Sequence, residues 1–428
     1  MIKEPRVQLF DLIECLSKAM DLVCPSLVNH HERVAYIAFS IGAEIGLPPE
    51  RLRELVMAGS LHDSGALSLR ERLDALRFDV EDPFEHAELG YLLLRSFEPL
   101  GAVARLVRHH HVHWDTRGEV SDAVGEDVPL ESHILHLADR VAVLIRDGEE
   151  TLGQVRGICE KIEERSGTLF SPELVEVFRS LAVKEYFWLD AASNSPGGVL
   201  RSMVGLETTE LGLRGLLGLS NLFRQIIDFR SRFTATHSVG VAVSAEALAR
   251  EAGFSDRECL MMRVAGHLHD LGKLAVPVEV LEKPGPLTGG ELGIIRSHTF
   301  HTYRILEPIR DLETINAWGA FHHERIDGTG YPFHHRGEDL SLGSRIMAVA
   351  DVFTAVTEDR PYRAGMAKGE ALRVLQRMAE RRSLDRSVVV MLERRYDEIN
   401  AARIAAQTAA DEEYRRFLPP DEPKRHVG

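Results

Sequence analysis

At 428 residues the chain is long enough for two ordinary domains, each with its own core. A hydrophobic content of 44% and a charged content of 27% are those of a soluble globular protein, and a formal net charge of −15 excludes broad binding to duplex nucleic acid, which needs a basic face. No apolar run reaches the roughly 18 residues of a membrane span, and the acid-bearing start MIKEPRVQLFDLIECL lacks a signal peptide's apolar block. A cytoplasmic protein without membrane association is therefore expected. Cys15, Cys24, Cys159 and Cys259 show no C-x-x-C spacing and read as free thiols in a reducing compartment. With this acidity, an anionic substrate needs a local positive centre, which bound metal ions supply.

Helical periodicity dominates from the start. Val34, Ala35, Ile37, Ala38, Ile41 and Ile45 mark one buried helix face, with Gly46 and Pro48 as its stop. Alternating strand patterns are scarce, so the fold class is all-α. The Gly/Pro-rich stretch DAASNSPGGV breaks the chain, giving a first domain over 1–190, a linker over 191–204 and a second domain over 205–428. Leu206 to Ser231 reads as a connecting helix, and the charged tail from Glu412 as a frayed end.

An internal repeat organises both halves. From His30 to His62-Asp63, and from His237 to His269-Asp270, the spacing is 32 residues. From His86 to His110-His111, and from His298 to His322-His323, it is 24; from His110 to Asp139, and from His322 to Asp351, it is 29. The offset between copies is 207 up to the His-Asp pair and 212 beyond it, a single five-residue insertion. The chain is a tandem duplication, and the copies share five histidines and two aspartates. Imidazole and carboxylate are ligands of first-row metals, and each set exceeds what one four-coordinate ion uses. A carboxylate directly after a histidine, as in His269-Asp270, suits a bridge between two ions. Such a bridge anchors a hydroxide, the nucleophile of two-metal phosphoester hydrolysis. Asp351 lies in the apolar run RIMAVADVFTAV, where an aspartate is rarely buried unless paired or metal-bound.

These elements carry a family resemblance. Through His237, HDLGK (269–273), His298 with Ile305-Leu306, HHERIDGTGYP (322–332), Asp351 and RPYR (360–363), the second half resembles the HD-GYP family of the HD phosphohydrolase superfamily. The resemblance implies two tandem HD-type helical domains and hydrolysis of a cyclic dinucleotide, cyclic di-GMP first and 3′,3′-cyclic GMP-AMP as the alternative substrate. It implies two divalent ions, iron or manganese ahead of nickel, zinc or magnesium. His237, His269, Asp270 and Asp351 would hold one, and Asp270 would bridge to a second on His298, His322 and His323. Asp270 and Lys273 would be the catalytic pair, Lys273 touching phosphate or protonating the leaving group. Gly272 as a helix C-cap would turn that lysine inward. Tyr331 would flank a guanine, and Arg360 and Arg363 would meet phosphate or base. Phe233 stands where three-metal members carry a glutamate four residues before the first histidine, so a binuclear site is expected.

The first half resembles the family more weakly. It keeps a second candidate metal set, His30, His62, Asp63, His86, His110, His111 and Asp139. Lys273 maps onto Ala66, Tyr331 onto Glu119, and RPYR onto Gly148-Glu149-Glu150-Thr151. A regulatory, dimerising or supporting role is expected there, with a homodimer allowed and action on another phosphoester as the sharper alternative. Two other classes compete for the whole chain: a non-catalytic cyclic-dinucleotide sensor, and a general nucleotide phosphohydrolase.

Overall fold

The computed structural model describes residues 3–23, 28–78, 84–124, 127–203, 209–231, 236–283, 285–359 and 364–417. Among them the elements are helices, apart from one ladder of two-residue strands, Val7–Gln8 and Glu210–Leu211, and one isolated bridge. No described helix is long and apolar enough to cross a membrane. The all-α expectation holds.

Two compact units divide the chain, one of residues 8–209 and one of 1–7 with 210–428. This differs from the boundary read in the sequence. Within 191–204, expected to be a linker, the helix Pro196–Met203 packs on His30–Glu44. The Gly197 amide donates to the buried Glu32 carboxylate at 2.9 Å, and Leu200 is buried. A glycine-rich stretch reads as a break, yet Gly197 is what lets the backbone approach Glu32. A Cβ there would lie 2.7 Å from the Glu32 carboxylate carbon. The first residues belong with the second unit through Lys3–Asp311 (3.2 Å) and Arg6–Glu210 (2.7 Å). Cys15, Cys159 and Cys259 are free thiols; Cys24 lies outside the described residues.

Each unit is built around the helix that opens on its first repeat histidine. In the second unit His237–Glu251 packs against Asp256–Leu268, Leu342–Thr357 and Tyr396–Phe417. In the first, His30–Glu44 packs against Pro49–Leu61 and Leu130–Leu144. Local chemistry sets the starts and stops. Gly253 takes a φ of +85° after one helix, and Ser255 with Glu258 forms a capping box for the next, the Ser255 amide donating to Glu258 at 2.9 Å. Thr288 and Glu291 cap Gly289–Leu306 in the same way. Gly46, with a φ of +79°, ends the first repeat helix as expected.

Two glycine pairs, each 207 positions apart, fix how closely these elements approach. A Cβ at Gly59 or Gly266 would sit 2.6 or 2.4 Å from the Cα of Ala35 or Ala242, so the His-Asp helix rides directly on the first-histidine helix. A Cβ at Gly65 or Gly272 would sit 2.1 or 1.9 Å from the carbonyl oxygen of His86 or His298. Gly272 is therefore not the helix C-cap expected from HDLGK. It lies in the 3-10 turn Leu271–Ala275, and glycine is required there by the backbone of the helix alongside. Gly272→Ala should lower the urea midpoint of the second unit by the equivalent of about 3 kcal/mol, an overpacking cost with no side chain to yield. Gly293→Ala on the same unit, facing open space in a helix, should be neutral or stabilising by about 0.5–1 kcal/mol. Equal midpoints for the two variants would refute this account of Gly272.

Candidate metal centre

In the second unit the seven expected ligands converge. His237 opens its helix, His269 and Asp270 follow the end of Asp256–Leu268, and His298 lies on Gly289–Leu306. His322 and His323 follow the end of Glu313–Ala320, and Asp351 is in mid-helix on Leu342–Thr357. Three overlapping groups form, His237/His269/Asp351, His269/Asp270/His322 and His298/His322/His323. Within each, donor atoms lie within 4.8 Å of one another. Asp270 links the groups, with Oδ2 3.2 Å from His269 Nε2 and Oδ1 3.3 Å from His298 Nε2.

The imidazoles are aimed by their own helices. Nδ1 of His269, His298 and His322 each donates to the carbonyl three residues earlier, on Gly266 (2.7 Å), Ile295 (2.5 Å) and Gly319 (2.7 Å). That bond fixes the tautomer and leaves Nε2 as a free lone pair facing the cluster. His237, the first residue of its helix, uses a carboxylate. Its Nδ1 donates to Glu358 at 3.1 Å, while Nε2 lies 3.1 Å from Asp351. Glu358 was missed in the sequence reading because its counterpart 212 positions earlier is Arg146, so the repeat gave no signal.

Electrostatics call for a cation. Burial opposes charge on Asp270, but His269, Lys273 and His298 outweigh it and hold the carboxyl well below the usual range. Burial likewise opposes charge on His237, yet Glu358 and Asp351 push its pKa up to about 10. Burial drives His298 down to about 3, keeping it a neutral ligand. Nε2 of His269 and Oδ1 of Asp270 are buried with no hydrogen-bond partner. Imidazole nitrogens, carboxylates and unpartnered donor atoms at one place are a set that fits divalent transition metals. Behind His237 another carboxylate is buried, Asp228, which accepts from Ser238 at 2.7 Å and whose pKa burial raises to about 6. Its counterpart 207 positions earlier, Asp21, pairs with His31. The interval of 207 residues between Asp21 and Asp228 carries this repeat in the sequence, where no histidine pair marks it.

A cleft of about 320 Å³ opens beside the cluster, bordered by His322, His323, Asp351, Tyr331, Arg296 and Arg325. The buried Glu324 carboxylate shapes its rim, accepting from the amides of Phe333 (2.7 Å) and His335 (3.1 Å). The Tyr331 amide donates to the His323 carbonyl at 3.2 Å, which sets the Tyr331 ring 4.9 Å from the His323 ring. Arg296, not foreseen, lies 5.3 Å from the Tyr331 ring centroid. Lys273 sits against the shared carboxylate, Nζ 2.6 Å from Asp270 Oδ2, and that carboxylate raises its pKa against the effect of burial. Arg360, Arg363 and Phe233 lie outside the described residues.

The first unit gathers its own seven. Asp63 again faces two ways, Oδ2 3.3 Å from His62 Nε2 and Oδ1 3.5 Å from His86 Nε2. His62 and His110 donate through Nδ1 to Gly59 (2.9 Å) and Val107 (2.6 Å), and His30 Nε2 lies 3.5 Å from Asp139. At the sequence positions matching Lys273 and Tyr331 the first unit has Ala66 and Glu119, and Glu119 is an exposed residue of the helix Arg117–Val124.

Glu358→Gln should weaken metal binding by the second unit about 10- to 100-fold, because it removes the charge that orients and polarises His237. Competition titration with a chromogenic chelator measures this. Affinity equal to wild type would refute a role for Glu358 in holding His237.

A family model for the HD domain matches residues 14–165 and 221–388. A 3′3′-cGAMP-specific phosphodiesterase of Vibrio cholerae is 31% identical over 90% of this chain and 91% of its own. A cyclic di-GMP phosphodiesterase of Pseudomonas aeruginosa is 45% identical over 35% of each chain. A crystal structure of a cyclic GMP-AMP-specific phosphodiesterase of V. cholerae has the same fold, with a TM-score of 0.62 at 24% identity over 97% of this chain and 99% of that one. With one domain match on each half and the GYP triplet on the loop beside the second cluster, the chain belongs to the HD domain family, in its HD-GYP branch of phosphodiesterases.

Proposed function

We propose that the second unit hydrolyses a guanine-containing cyclic dinucleotide, cyclic di-GMP or 3′,3′-cyclic GMP-AMP, at a two-metal site. The observation that carries this reading is Asp270, whose two oxygens face separate imidazole groups 3.2 and 3.3 Å away, beside a cleft bearing an aromatic ring and two arginines. His237, His269 and Asp351 would hold one ion and His298, His322 and His323 the other, with Asp270 shared between them. When bound, the ions supply positive charge for the phosphoryl oxygens and acidify water to a nucleophile at neutral pH.

The chain's own groups do the rest. Lys273 keeps a proton on Nζ at neutral pH, because Asp270 stabilises the ammonium. It can give that proton to the departing 3′-oxygen as the P–O bond breaks. Tyr331 remains a neutral phenol, since burial raises its pKa, and offers a flat face for a base. Arg296 and Arg325 border the same cleft and suit phosphate or the guanine edge. The choice between dinucleotides turns on the second base. The V. cholerae relative matched along nearly its whole length supports the mixed substrate, and the higher identity of the P. aeruginosa relative over a shorter region supports the symmetric one.

Metal-replete protein should convert at least one of the two dinucleotides to its linear form or to mononucleotides, as read by chromatography. No product from either, with metal content verified, would overturn the reading, and binding without turnover would make the protein a sensor. Lys273→Met should lower kcat about 10²- to 10⁴-fold with metal retained. Arg296→Ala should act mainly on KM, raising it roughly tenfold, the worth of one charge-assisted contact. A wild-type KM in that variant would remove Arg296 from the substrate site.

A further inference from the structure

The first unit keeps every metal donor of the second while losing the groups that would meet a substrate. Asp63, His86, His110 and His111 each bring one donor atom within 4.8 Å of the others, and all four are buried. His86 Nε2 and His111 Nε2 face each other at 3.0 Å, and Asp63 Oδ1 lies 3.5 Å from His86 and 3.9 Å from His110. His110 Nε2 and Asp63 Oδ1 have no hydrogen-bond partner. A buried polar atom left unpartnered is costly, and here several point at one place. Three imidazoles and one carboxylate oxygen make a complete four-donor set of the kind that closed tetrahedral sites use. In the second unit the imidazole corresponding to His111, His323, is only partly buried, whereas His111 is buried.

What closes the first unit is a residue that no repeat pattern flagged. Arg140 is 1% exposed. Its Nε and Nη2 donate to Asp139 Oδ2 at 3.2 and 2.5 Å, Nη2 also donates to the Ala75 carbonyl at 2.8 Å, and Nη1 donates to the carbonyls of Arg77 and Phe78. The matching residue in the second unit is Val352, which borders the cleft. There Asp351 Oδ2 lies 3.8 Å from His323 and Asp351 borders the same cleft. The guanidinium thus occupies the carboxylate face that the second unit leaves to its cleft, and ties it to the backbone of residues 75–78. A phosphate approaching Asp139 from that side would meet a filled space.

We propose that the first unit holds one transition-metal ion on Asp63, His86, His110 and His111 as a closed structural centre, with Arg140 as the plug that bars substrate and chelators. This does not depend on the activity of the second unit. The test uses the full-length chain with His269→Ala and His322→Ala, which together remove a donor from each group of the second unit. After expression with iron, manganese and zinc, that protein should retain about one ion per chain by plasma mass spectrometry. Adding His110→Gln should abolish it. Adding Arg140→Val should leave the ion bound but let EDTA extract it at least about tenfold faster, and extraction should lower the unfolding temperature only where His110 is intact. Where Arg140→Val proves misfolded by circular dichroism, Arg140→Lys replaces it, since an ammonium cannot span Asp139 and three carbonyls. No retained ion, or an ion indifferent to His110→Gln, overturns the metal centre. An unchanged extraction rate in the folded Arg140 variant overturns the plug.

Discussion

A carboxylate taken out of water and ringed by imidazoles is the arrangement on which each unit depends. Alone, Asp270 and Asp63 would be costly to bury. Each stands between two histidine nitrogens at 3.2–3.5 Å, and its Oδ1 has no hydrogen-bond partner, so the burial is left for a cation to satisfy. Imidazole can answer a carboxylate with a proton or yield its place to a metal ion. The high pKa of His237 and the unpartnered Nε2 of His269 are two faces of that choice. Binding a divalent cation satisfies all of these groups at once, so metal affinity and the stability of the surrounding helices are linked.

The backbone leaves these side chains little freedom. The carbonyl three residues back holds Nδ1 of His62, His110, His269, His298 and His322, so the helices themselves orient five of the ligands. The glycines at 59, 65, 266 and 272 then bring the carrying elements within backbone contact, closer than any side chain would permit. Duplication copied both devices. Position and tautomer therefore persist in the first unit even where Lys273 and Tyr331 have been replaced by Ala66 and Glu119.

The ligand sets were legible because metal chemistry demands particular residue types and helices impose fixed spacings, so a repeated interval of 32, 24 and 29 residues leaves few other readings. The residues that sequence reasoning missed obey no such rule. Glu358 acts through His237 from the C-cap of Leu342–Thr357, and its counterpart is an exposed arginine. Arg296 reaches Tyr331 across tertiary space. Gly272 looked like a cap because turn signals are local, whereas the constraint on it is the carbonyl of His298 on another helix. The linker was misplaced for the same reason, since only packing reveals that Gly197 and Leu200 lie against the first unit.

A single position shows how two copies of one cluster diverge. Beside the last aspartate, the second unit has a valine and the first an arginine. Valine cannot engage Asp351 Oδ2, and an open cleft lies there, lined by Tyr331 and two arginines that can meet an anion. Arginine engages Asp139 Oδ2 in a fork and spends its remaining donors on three carbonyls, so it has none left for a phosphate. The same guanidinium that would attract a substrate at a surface instead neutralises the aspartate and fills the approach when it is buried. Ala66 and Glu119, at the sequence positions of Lys273 and Tyr331, accompany that change, so the first unit lacks the lysine beside the shared aspartate and the tyrosine beside the histidine pair.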